Sequence, residues 1–309
     1  MGFRTDEQRP MERIFVPFVF IRVHSRFKLI PHRDFAWRRA RFAFAPRTRM
    51  NERILAFQAA CDRGERIAVL TAYDYPQARL LDEAGVDVLL VGDSLGMVVL
   101  GYPDTTLVTM DEMLHHTRAV ARGAQRPLIL ADLPFGSTAT PELTVANSQR
   151  LIEAGAHAVK LEGGASHAAH IAALVEVGIP VMAHIGMQPQ QVRIEGGYRI
   201  KGKTAEQSAA LLADAEAVEK AGAFGLLLEL VVPAVAKEVS DRASIPTIGI
   251  GSGADCDGQV LVLHDVIGLF PWFKPKFATQ RADVASEIRR AAAEFIRDVK
   301  AKPRVSQGS

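Results

Sequence analysis

The stretch Val86-Asp87-Val88-Leu89-Leu90-Val91-Gly92-Asp93 follows Glu83-Ala84-Gly85, and the same arrangement recurs along the chain. Each copy has a helical stretch that ends at a glycine, followed by a short run of Val, Leu and Ile. Glycine at the end of a helix adopts the left-handed conformation that stops the helix. A short apolar run is typical of a strand buried on both faces of a parallel sheet. The other copies place Gly155 before residues 156–162, Gly178 before residues 179–184 and Gly222 before residues 223–229.

Four further apolar runs bring the number of predicted strands to eight, and helical segments fill most of the gaps between them. Alternating strands and helices predict a parallel α/β architecture. Eight such units favour a closed (β/α)8 TIM barrel over an open, doubly wound sheet. The chain has 309 residues, 48% of them hydrophobic, which is enough for one barrel of this size. The further runs are residues 67–72, 127–132, 246–250 and 259–264.

Several of the runs end on a polar side chain. Because the C-terminal ends of barrel strands surround the active site, we expect these side chains to meet although they lie far apart in the sequence. One acid at such a position would be explained by a loop or a helix cap. A set of five is better explained by a functional site. The five are Asp93, Asp132, Glu162, His184 and Glu229.

The residue types in this set indicate a metal site. Clustered carboxylates raise one another's pKa unless a cation lies among them. Oxygen ligands with no cysteine and at most one histidine favour a hard ion, above all Mg²⁺. Lys160 precedes Glu162 by two residues, so both side chains face the same side of their strand. A metal beside an ammonium group suits a small anionic substrate, and the pattern predicts enolate chemistry on a 2-oxo acid with a spare carboxylate as base.

The charge balance argues against some classes of partner. With 37 basic and 35 acidic residues the net charge is +2, which gives no sign of nucleic-acid or membrane binding. Residues 1–49 hold 12 Lys or Arg, 4 Asp or Glu and many phenylalanines, and their apolar run at 14–21 is too short to cross a bilayer. We interpret residues 1–49 as an extension that is disordered or not native, and residues 50–309 as a single catalytic barrel. Cys61 and Cys256 form no CxxC pair, which suits the reduced cytoplasm.

A series of short motifs runs through the predicted barrel. In order they read Thr71-Ala72-Tyr73-Asp74-Tyr75, Val91-Gly92-Asp93-Ser94-Leu95-Gly96, Ala131-Asp132-Leu133-Pro134-Phe135, Val159-Lys160-Leu161-Glu162-Gly163-Gly164, His184-Ile185-Gly186, Gly196-Gly197-Tyr198, Gly249-Ile250-Gly251, Asp257-Gly258-Gln259 and Pro275-Lys276-Phe277. With no evident large insertion, this series closely resembles the ketopantoate hydroxymethyltransferase (3-methyl-2-oxobutanoate hydroxymethyltransferase) family. One departure is Leu230-Val231-Val232-Pro233, where relatives often have a Cys-Val-Pro type of sequence.

The resemblance implies a barrel of the phosphoenolpyruvate/pyruvate type that binds Mg²⁺. It further implies transfer of a hydroxymethyl group from 5,10-methylenetetrahydrofolate to 3-methyl-2-oxobutanoate, giving 2-dehydropantoate (ketopantoate) for pantothenate and coenzyme A biosynthesis. A cytoplasmic homo-oligomer, a decamer, is implied as well. By motif, Asp93, Asp132 and Glu162 resemble the metal ligands, Glu229 the general base that removes the C3 proton, and Asp93, Ser94, Asp132, Lys160 and His184 the contacts of the oxo acid.

Two other functions stay open at this point. Another Mg²⁺ barrel acting on 2-oxo acids, such as a relative of phosphoenolpyruvate mutase or isocitrate lyase, would share the same kind of acidic site. A non-catalytic barrel that serves as a binding or scaffold subunit would be expected to lack the metal carboxylates or the base, and all of them are present.

Three segments have an open interpretation. Residues 197–204 match the nucleotide-binding pattern GxxxxGK[ST], but mostly polar residues precede them where a buried strand is required. We interpret residues 196–204 instead as a glycine-hinged loop that closes over the site. Residues 249–253 fit an anion-binding turn and close backbone packing equally well. Helical spacing of Val284, Ile288, Ala291, Phe295 and Val299 predicts a closing helix packed into the core.

Overall fold

The computed structural model describes residues 51–301 of the chain. Residues 1–50 and 302–309 lie outside the described part, and with them the extension predicted at residues 1–49. The described residues form a closed barrel of eight parallel strands, with helices between all successive strands except β7 and β8. The predicted (β/α)8 fold is therefore confirmed.

The strands close the barrel in sequence order, and the last strand pairs back onto the first with Val69 opposite Val260. Pairing between successive parallel strands is what repeated strand-helix-strand units produce. The strands are β1 (Ile67–Thr71), β2 (Val88–Val91), β3 (Leu128–Asp132), β4 (Ala158–Glu162), β5 (Val181–Gly186), β6 (Gly225–Glu229), β7 (Thr247–Ile250) and β8 (Gly258–Leu261).

Several of the helices begin where the sequence supplies a capping side chain. Asp74 accepts a hydrogen bond from the backbone N–H of Gln77, and Thr109 forms a capping box with Glu112. The helices are α1 (Glu52–Asp62), α2 (Tyr75–Ala84), α3 (Leu95–Val98), α4 (Met110–Gly123), α5 (Pro141–Glu153), α6 (Ala168–Glu176), α7 (Val192–Glu195), α8 (Ala205–Lys220), α9 (Pro233–Arg242), α10 (Leu263–Ile267) and α11 (Val284–Ala301), with 3-10 turns at Thr105–Leu107, Ala165–His167 and Pro189–Gln191.

The four glycines predicted to end helices all have a positive φ: 85° at Gly85, 107° at Gly155, 81° at Gly178 and 99° at Gly222. This part of the repeated unit is confirmed. The last strand is shorter than predicted, because β8 ends at Leu261 and residues 263–267 form α10. A short apolar run does not distinguish a strand from a short helix, and the prediction that this strand reaches residue 264 is wrong.

Alternation along the strands divides the buried side chains into two clusters. Ala158 and Met182 belong to the cluster inside the barrel, whereas Val159 and Ala183 belong to the larger cluster between the strands and the helices. Ile54 and Phe57 of α1 join the inner cluster. Because α1 directly precedes β1, the inner cluster closes the N-terminal end of the barrel and leaves the C-terminal end to other side chains.

The last helix differs from its prediction. Apolar residues do recur at helical spacing in α11, but Ala285 is the buried one, while Ile288 is 53% exposed and Phe295 is 69% exposed. The prediction that this helix packs into the core is wrong, because spacing reveals an apolar face and not what covers it. Within residues 51–301, no helix is long and apolar enough to cross a membrane.

Candidate active site

Lys160 and Asp132 form an ion pair inside the barrel. The register of β3 and β4 places Asp132 opposite Lys160, and Lys160 Nζ lies 2.7 Å from Asp132 Oδ1 with both side chains buried. Burial lowers the pKa of Lys160, but the charges of Asp132, Glu162 and Asp93 outweigh burial and hold the pKa above its usual value. Lys160 is therefore a fixed cation within a ring of acids.

Asp93 joins this pair from the loop after β2. Its backbone N–H donates to Asp132 Oδ2 at 3.0 Å, which brings two of the predicted metal carboxylates together. Burial raises the pKa of Asp93 well above its usual value, and the negative charges of Asp132 and Glu162 raise it further. The carboxylates are close enough to repel one another, and a bound cation relieves such repulsion.

His184 lies between two glutamates. Its Nδ1 is 3.5 Å from Glu162 Oε1, and its Nε2 is 3.4 Å from Glu229 Oε2. Burial and the charge of Lys160 lower the pKa of His184, but the two glutamates outweigh them and set it at about 9. A protonated imidazole therefore connects the predicted base, Glu229, to a predicted metal ligand, Glu162.

Gln190 is a site residue that the sequence analysis missed. Its side-chain amide donates to Asp93 Oδ2 at 2.8 Å and to the carbonyl of Leu133 at 2.9 Å, and its backbone N–H donates to Glu162 Oε2 at 3.0 Å. It thus holds two predicted metal carboxylates at once. No local pattern marks this residue, because its role depends on the path of the loop after β5.

Tyr73 belongs to the first of the sequence motifs, and its side chain contacts Ser94, which is predicted to bind the substrate. The Tyr73 hydroxyl lies 2.9 Å from Ser94 Oγ, and burial raises the pKa of Tyr73, so the phenol stays protonated. Thr71 Oγ1 accepts the backbone N–H of Leu263 at 2.9 Å. Either hydroxyl can donate in the bond between Tyr73 and Ser94, and when Tyr73 donates, the Ser94 hydroxyl hydrogen is available to a ligand.

The backbone beside Glu229 is strained. Among the described residues, Leu230 is the non-glycine residue with a positive φ, 49°. Its N–H donates to the carbonyl of Ile250 at 2.9 Å, and its carbonyl accepts the N–H of Lys201 at 2.8 Å. A left-handed non-glycine residue costs about 1–3 kcal/mol and persists where the surroundings fix it, which is frequent at functional sites.

All of the predicted site residues line one cavity of about 620 Å³ at the C-terminal end of the barrel. Tyr198 and Ile200 of the loop at residues 196–204 also line it. Burial raises the pKa of Tyr198, and the charges of Glu229, Asp93 and Glu162 raise it further, so the ring lies near the acids. The loop is therefore at the mouth of the site, and its closure stays a prediction. The predicted members are Asp93, Ser94, Asp132, Lys160, Glu162, His184 and Glu229.

The structure decides two of the open interpretations. Residues 197–204 are preceded by α7 where a phosphate-binding loop needs a strand, and Thr204 caps α8 by accepting the N–H of Gln207. The turn at 249–253 is tightly packed, because a Cβ on Gly251 would lie 2.8 Å from the Leu230 side chain and 2.9 Å from that of Phe277. Close packing is therefore the better account of the turn.

The acidic cluster has the ligand chemistry of a Mg²⁺ site. Within residues 51–301, no group of three or more His, Cys, Asp or Glu side chains already has the arrangement of a metal site. Mg²⁺ usually retains several waters and takes one or two carboxylates directly, so a preformed set of three is not required. The raised pKa of Asp93, which the negative charges of Asp132 and Glu162 increase, fits a cation at this position.

Comparison with known proteins gives the family. A sequence model of ketopantoate hydroxymethyltransferase matches residues 51–304. The chain belongs to the ketopantoate hydroxymethyltransferase family. It is 54% identical over 242 residues to the 3-methyl-2-oxobutanoate hydroxymethyltransferase of Hyperthermus butylicus, covering 78% of this chain and 84% of that one. The protein of the same name from Pyrobaculum islandicum is 56% identical over 232 residues, covering 75% and 88%.

Solved structures share the fold at much lower identity. A phosphonopyruvate hydrolase in complex with oxalate and Mg²⁺ superposes with a TM-score of 0.59 at 17% identity, covering 82% of this chain and 93% of that one. For 2,3-dimethylmalate lyase, a member of the PEP mutase/isocitrate lyase superfamily, the TM-score is 0.58 at 17% identity, covering 83% and 91%. At this identity the likeness shows the type of barrel alone. The match over residues 51–304 favours the hydroxymethyltransferase family over the alternative enzymes.

Proposed function

We propose that this chain transfers a hydroxymethyl group from 5,10-methylenetetrahydrofolate to 3-methyl-2-oxobutanoate and forms 2-dehydropantoate for pantothenate biosynthesis. The observation that carries the proposal is the position of Glu229. It lines the same cavity as the ion pair of Lys160 and Asp132, and its Oε2 lies 3.4 Å from the protonated His184. A carboxylate base beside a buried cation is what proton removal from a small oxo acid requires. The family match and the names of the relatives support this substrate.

Lys160 and Ser94 bind the carboxylate of the oxo acid. Lys160 is held as a buried cation, and its attraction for an anion is stronger in the low dielectric of the barrel than in water. Ser94 presents its hydroxyl hydrogen to the same anion when Tyr73 is the donor in the hydrogen bond between the two hydroxyl groups. Asp93, Asp132 and His184 complete the surroundings of the substrate.

Glu229 removes the proton from C3 of the oxo acid. The imidazolium of His184 fixes the orientation of the Glu229 carboxylate from the neighbouring strand. The C3 carbon then forms a bond to the methylene carbon of the folate, whose two bonds to folate nitrogens break. Water supplies the hydroxyl group, and the protons from C3 and from water end on the two nitrogens of tetrahydrofolate.

Asp93, Asp132 and Glu162 are the residues that would hold Mg²⁺, directly or through water. When bound, the ion supplies a Lewis acid that stabilises negative charge on the keto oxygen of the substrate. The repulsion that raises the pKa of Asp93 would be relieved at the same time.

The proposal is tested by turnover of 3-methyl-2-oxobutanoate with 5,10-methylenetetrahydrofolate and Mg²⁺. Exchange of the C3 proton with deuterated solvent, followed by NMR without folate, isolates the step assigned to Glu229. Glu229→Gln is expected to abolish this exchange while the oxo acid still binds. Glu176→Gln, at an exposed glutamate of α6, is the matched control and should exchange at the parent rate. Unchanged exchange in Glu229→Gln would remove Glu229 from its role.

The remaining expectations concern assembly and location. We assign residues 50–309 to one catalytic barrel and propose that it works as a cytoplasmic homo-oligomer, a decamer. The exposed apolar residues Ile288, Phe295 and Val299 of α11 support contact with another copy, since such residues are usually covered in a working assembly. Cys61 and Cys256 form no disulfide, which is consistent with the cytoplasm. Light scattering of the purified protein gives the number of subunits.

A further inference from the structure

The cavity is larger than the oxo acid requires. Its volume of about 620 Å³ lies in the range that accommodates a drug-sized ligand, roughly 300–1,000 Å³. The charged residues of the barrel occupy one part of its wall. Another part is formed by the segment after β8, which contributes the carboxylate of Asp265 and the rings of Phe270, Phe273 and Phe277. None of these four residues has a role in the proposed chemistry of the oxo acid.

Asp265 is a carboxylate without a partner. Within residues 51–301, neither a hydrogen bond nor an ion pair to its side chain is present, and burial alone raises its pKa to about 6. A partly buried carboxylate that lacks donors has lost hydration without compensation. In contrast, Asp93, Asp132 and Glu162 each accept hydrogen bonds from the protein. The cavity wall therefore carries a partly buried acceptor that no group of the described residues satisfies and that a ligand entering the cavity can use.

The chemistry of this wall matches one end of a reduced folate. The pyrimidine edge of a pterin presents a ring N–H and an amino N–H side by side, and a carboxylate accepts such a pair in bidentate fashion. The rest of the pterin is a flat ring that stacks on aromatic side chains. Building on the proposed function, we infer that Asp265 binds the pyrimidine edge of the folate pterin, and that Phe270, Phe273 and Phe277 form the surface against which the folate rings pack.

One electrostatic effect and one packing contact relate this subsite to the reacting groups. Asp132 and Asp265 both raise the pKa of Tyr73, so both carboxylates lie within electrostatic range of the ring that contacts Ser94. The side chains of Phe277 and Leu230 both approach the position of a Cβ on Gly251, at 2.9 Å and 2.8 Å. Phe277 is thus next to the residue that follows the base, Glu229. A folate on this wall therefore lies beside the backbone that follows the base.

The glutamate tail, at the opposite end of the folate, lies in a different environment. Phe273 is 57% exposed and Lys276 is also exposed, so the wall opens to solvent at this rim. The glutamate tail of folate is anionic and hydrophilic, and it is accommodated at an open rim beside a lysine. An acidic inner end for the pterin and a basic outer end for the tail give the ligand one orientation.

The experiment measures binding of tetrahydrofolate, the unreactive product form, by calorimetry in the presence of Mg²⁺. Asp265→Asn is expected to weaken the binding of tetrahydrofolate by ~10–100-fold, which is the usual range when hydrogen bonds to a charged group are lost. Affinity for 3-methyl-2-oxobutanoate should change far less, because that ligand binds on the other part of the wall. Asp255→Asn removes the same charge from an exposed position that does not line the cavity and is the matched control, with parent affinity expected.

Fragments of folate identify which end Asp265 binds. Asp265→Asn should weaken the binding of a tetrahydropterin, whereas p-aminobenzoylglutamate should bind this variant with the parent affinity. Phe273→Ala should weaken the binding of intact tetrahydrofolate. Parent affinity for tetrahydrofolate in both variants, or loss of p-aminobenzoylglutamate instead of the pterin, would overturn this assignment while folate-dependent turnover continued. If the parent protein neither bound tetrahydrofolate nor turned over the oxo acid, the proposed function itself would fail.

Discussion

The two ends of the barrel interior are formed by the same strands but differ in their side chains. The N-terminal end is apolar, and the C-terminal end is charged. On β4, Ala158 belongs to the apolar inner cluster, while Lys160 and Glu162, two and four residues further on, line the site. At the N-terminal end, Phe57 packs edge-on against Phe224 with 5.7 Å between ring centroids. At the C-terminal end, buried charges replace apolar contacts. Two residues along a strand therefore separate side chains that stabilise the barrel from side chains that line the proposed active site.

Two histidines, one at each end of the barrel, show the same difference for a single residue type. His157 precedes β4 at the N-terminal end, where burial and the charge of Arg53 lower its pKa to about 4. His184 lies at the C-terminal end, where Glu162 and Glu229 outweigh burial and set its pKa at about 9. The first is neutral and structural, and the second is charged and belongs to the site. The surroundings, more than the residue type, decide the role.

The largest effect is expected at the charged end. Lys160→Met leaves Asp132 buried without its ion-pair partner, so the free energy of unfolding should fall by about 3–5 kcal/mol. Loss of the cation that faces the substrate should also lower kcat/KM by about 10²–10³-fold. Urea denaturation and steady-state kinetics measure the two effects. Lys220→Met, which removes an exposed ion pair on α8, should change stability by less than about 1 kcal/mol.

A double variant separates the two roles of this pair. Replacing both partners, in Lys160→Met with Asp132→Leu, removes the charge that the single variant leaves unpaired and should recover part of the lost stability; the rest stays lost because Asp132 Oδ2 also accepts the Asp93 N–H. Activity should stay lost, because the cation and a predicted metal ligand are both absent. A double variant no more stable than Lys160→Met would show that the single variant is destabilised by altered packing and not by an unpaired charge.

The next largest effect belongs to the apolar end and has the opposite character. Phe57→Ala opens a cavity where α1 closes the barrel, and the free energy of unfolding should fall by about 3–5 kcal/mol. The folded protein should keep a kcat/KM close to that of the parent at 25 °C. Leu55→Ala, at an exposed position of the same helix, should change stability by less than about 0.5 kcal/mol. A large loss of kcat/KM in folded Phe57→Ala would contradict the separation of the two ends.

A smaller effect is expected where a loop supports the charged end. Gln190→Leu removes the amide that donates to Asp93 Oδ2 and to the carbonyl of Leu133. Loss of a group that orients metal ligands typically lowers the affinity for the metal by about 10–100-fold, so half-maximal activity should need correspondingly more Mg²⁺. Gln191→Leu, the half-exposed neighbour, should keep the parent Mg²⁺ dependence. An unchanged requirement in Gln190→Leu would mean that Asp93 is positioned without this contact.

The sequence predicted the charged end well because local rules determine it. Glycine after each helix and a run of apolar residues place the strand ends, and two-residue alternation turns Lys160 and Glu162 to the same side. The contacts of Gln190 and Tyr73 were not predictable in this way, since they depend on how loops cross between strands. The exposure of the apolar face of α11 was not predictable either. An amphipathic pattern is the same whether its apolar face packs against the core or against another molecule.

The smallest effect is expected at the histidine of the apolar end. His157 accepts the backbone N–H of Ile129 at Nδ1, 2.9 Å away, which requires the neutral ring. Its folded pKa of about 4 lies below the model-peptide value of 6.5, so the unfolded chain binds the proton first as pH falls. Stability from this residue is therefore complete above pH 6.5 and decreases towards pH 4. The loss between pH 7 and pH 5 should be about 1 kcal/mol, since the ring is partly exposed.

His157→Gln tests this expectation, because a glutamine oxygen accepts the same N–H and does not titrate. Urea denaturation of both proteins at pH 7 and pH 5 gives the difference in pH dependence, in which the shared carboxylates cancel. His115→Gln, at an exposed histidine of α4, should retain the pH dependence of the parent. If the parent and His157→Gln lost stability in parallel, the ring would already be free to accept a proton in the folded state, and the apolar end would tolerate a charge that its packing is expected to exclude.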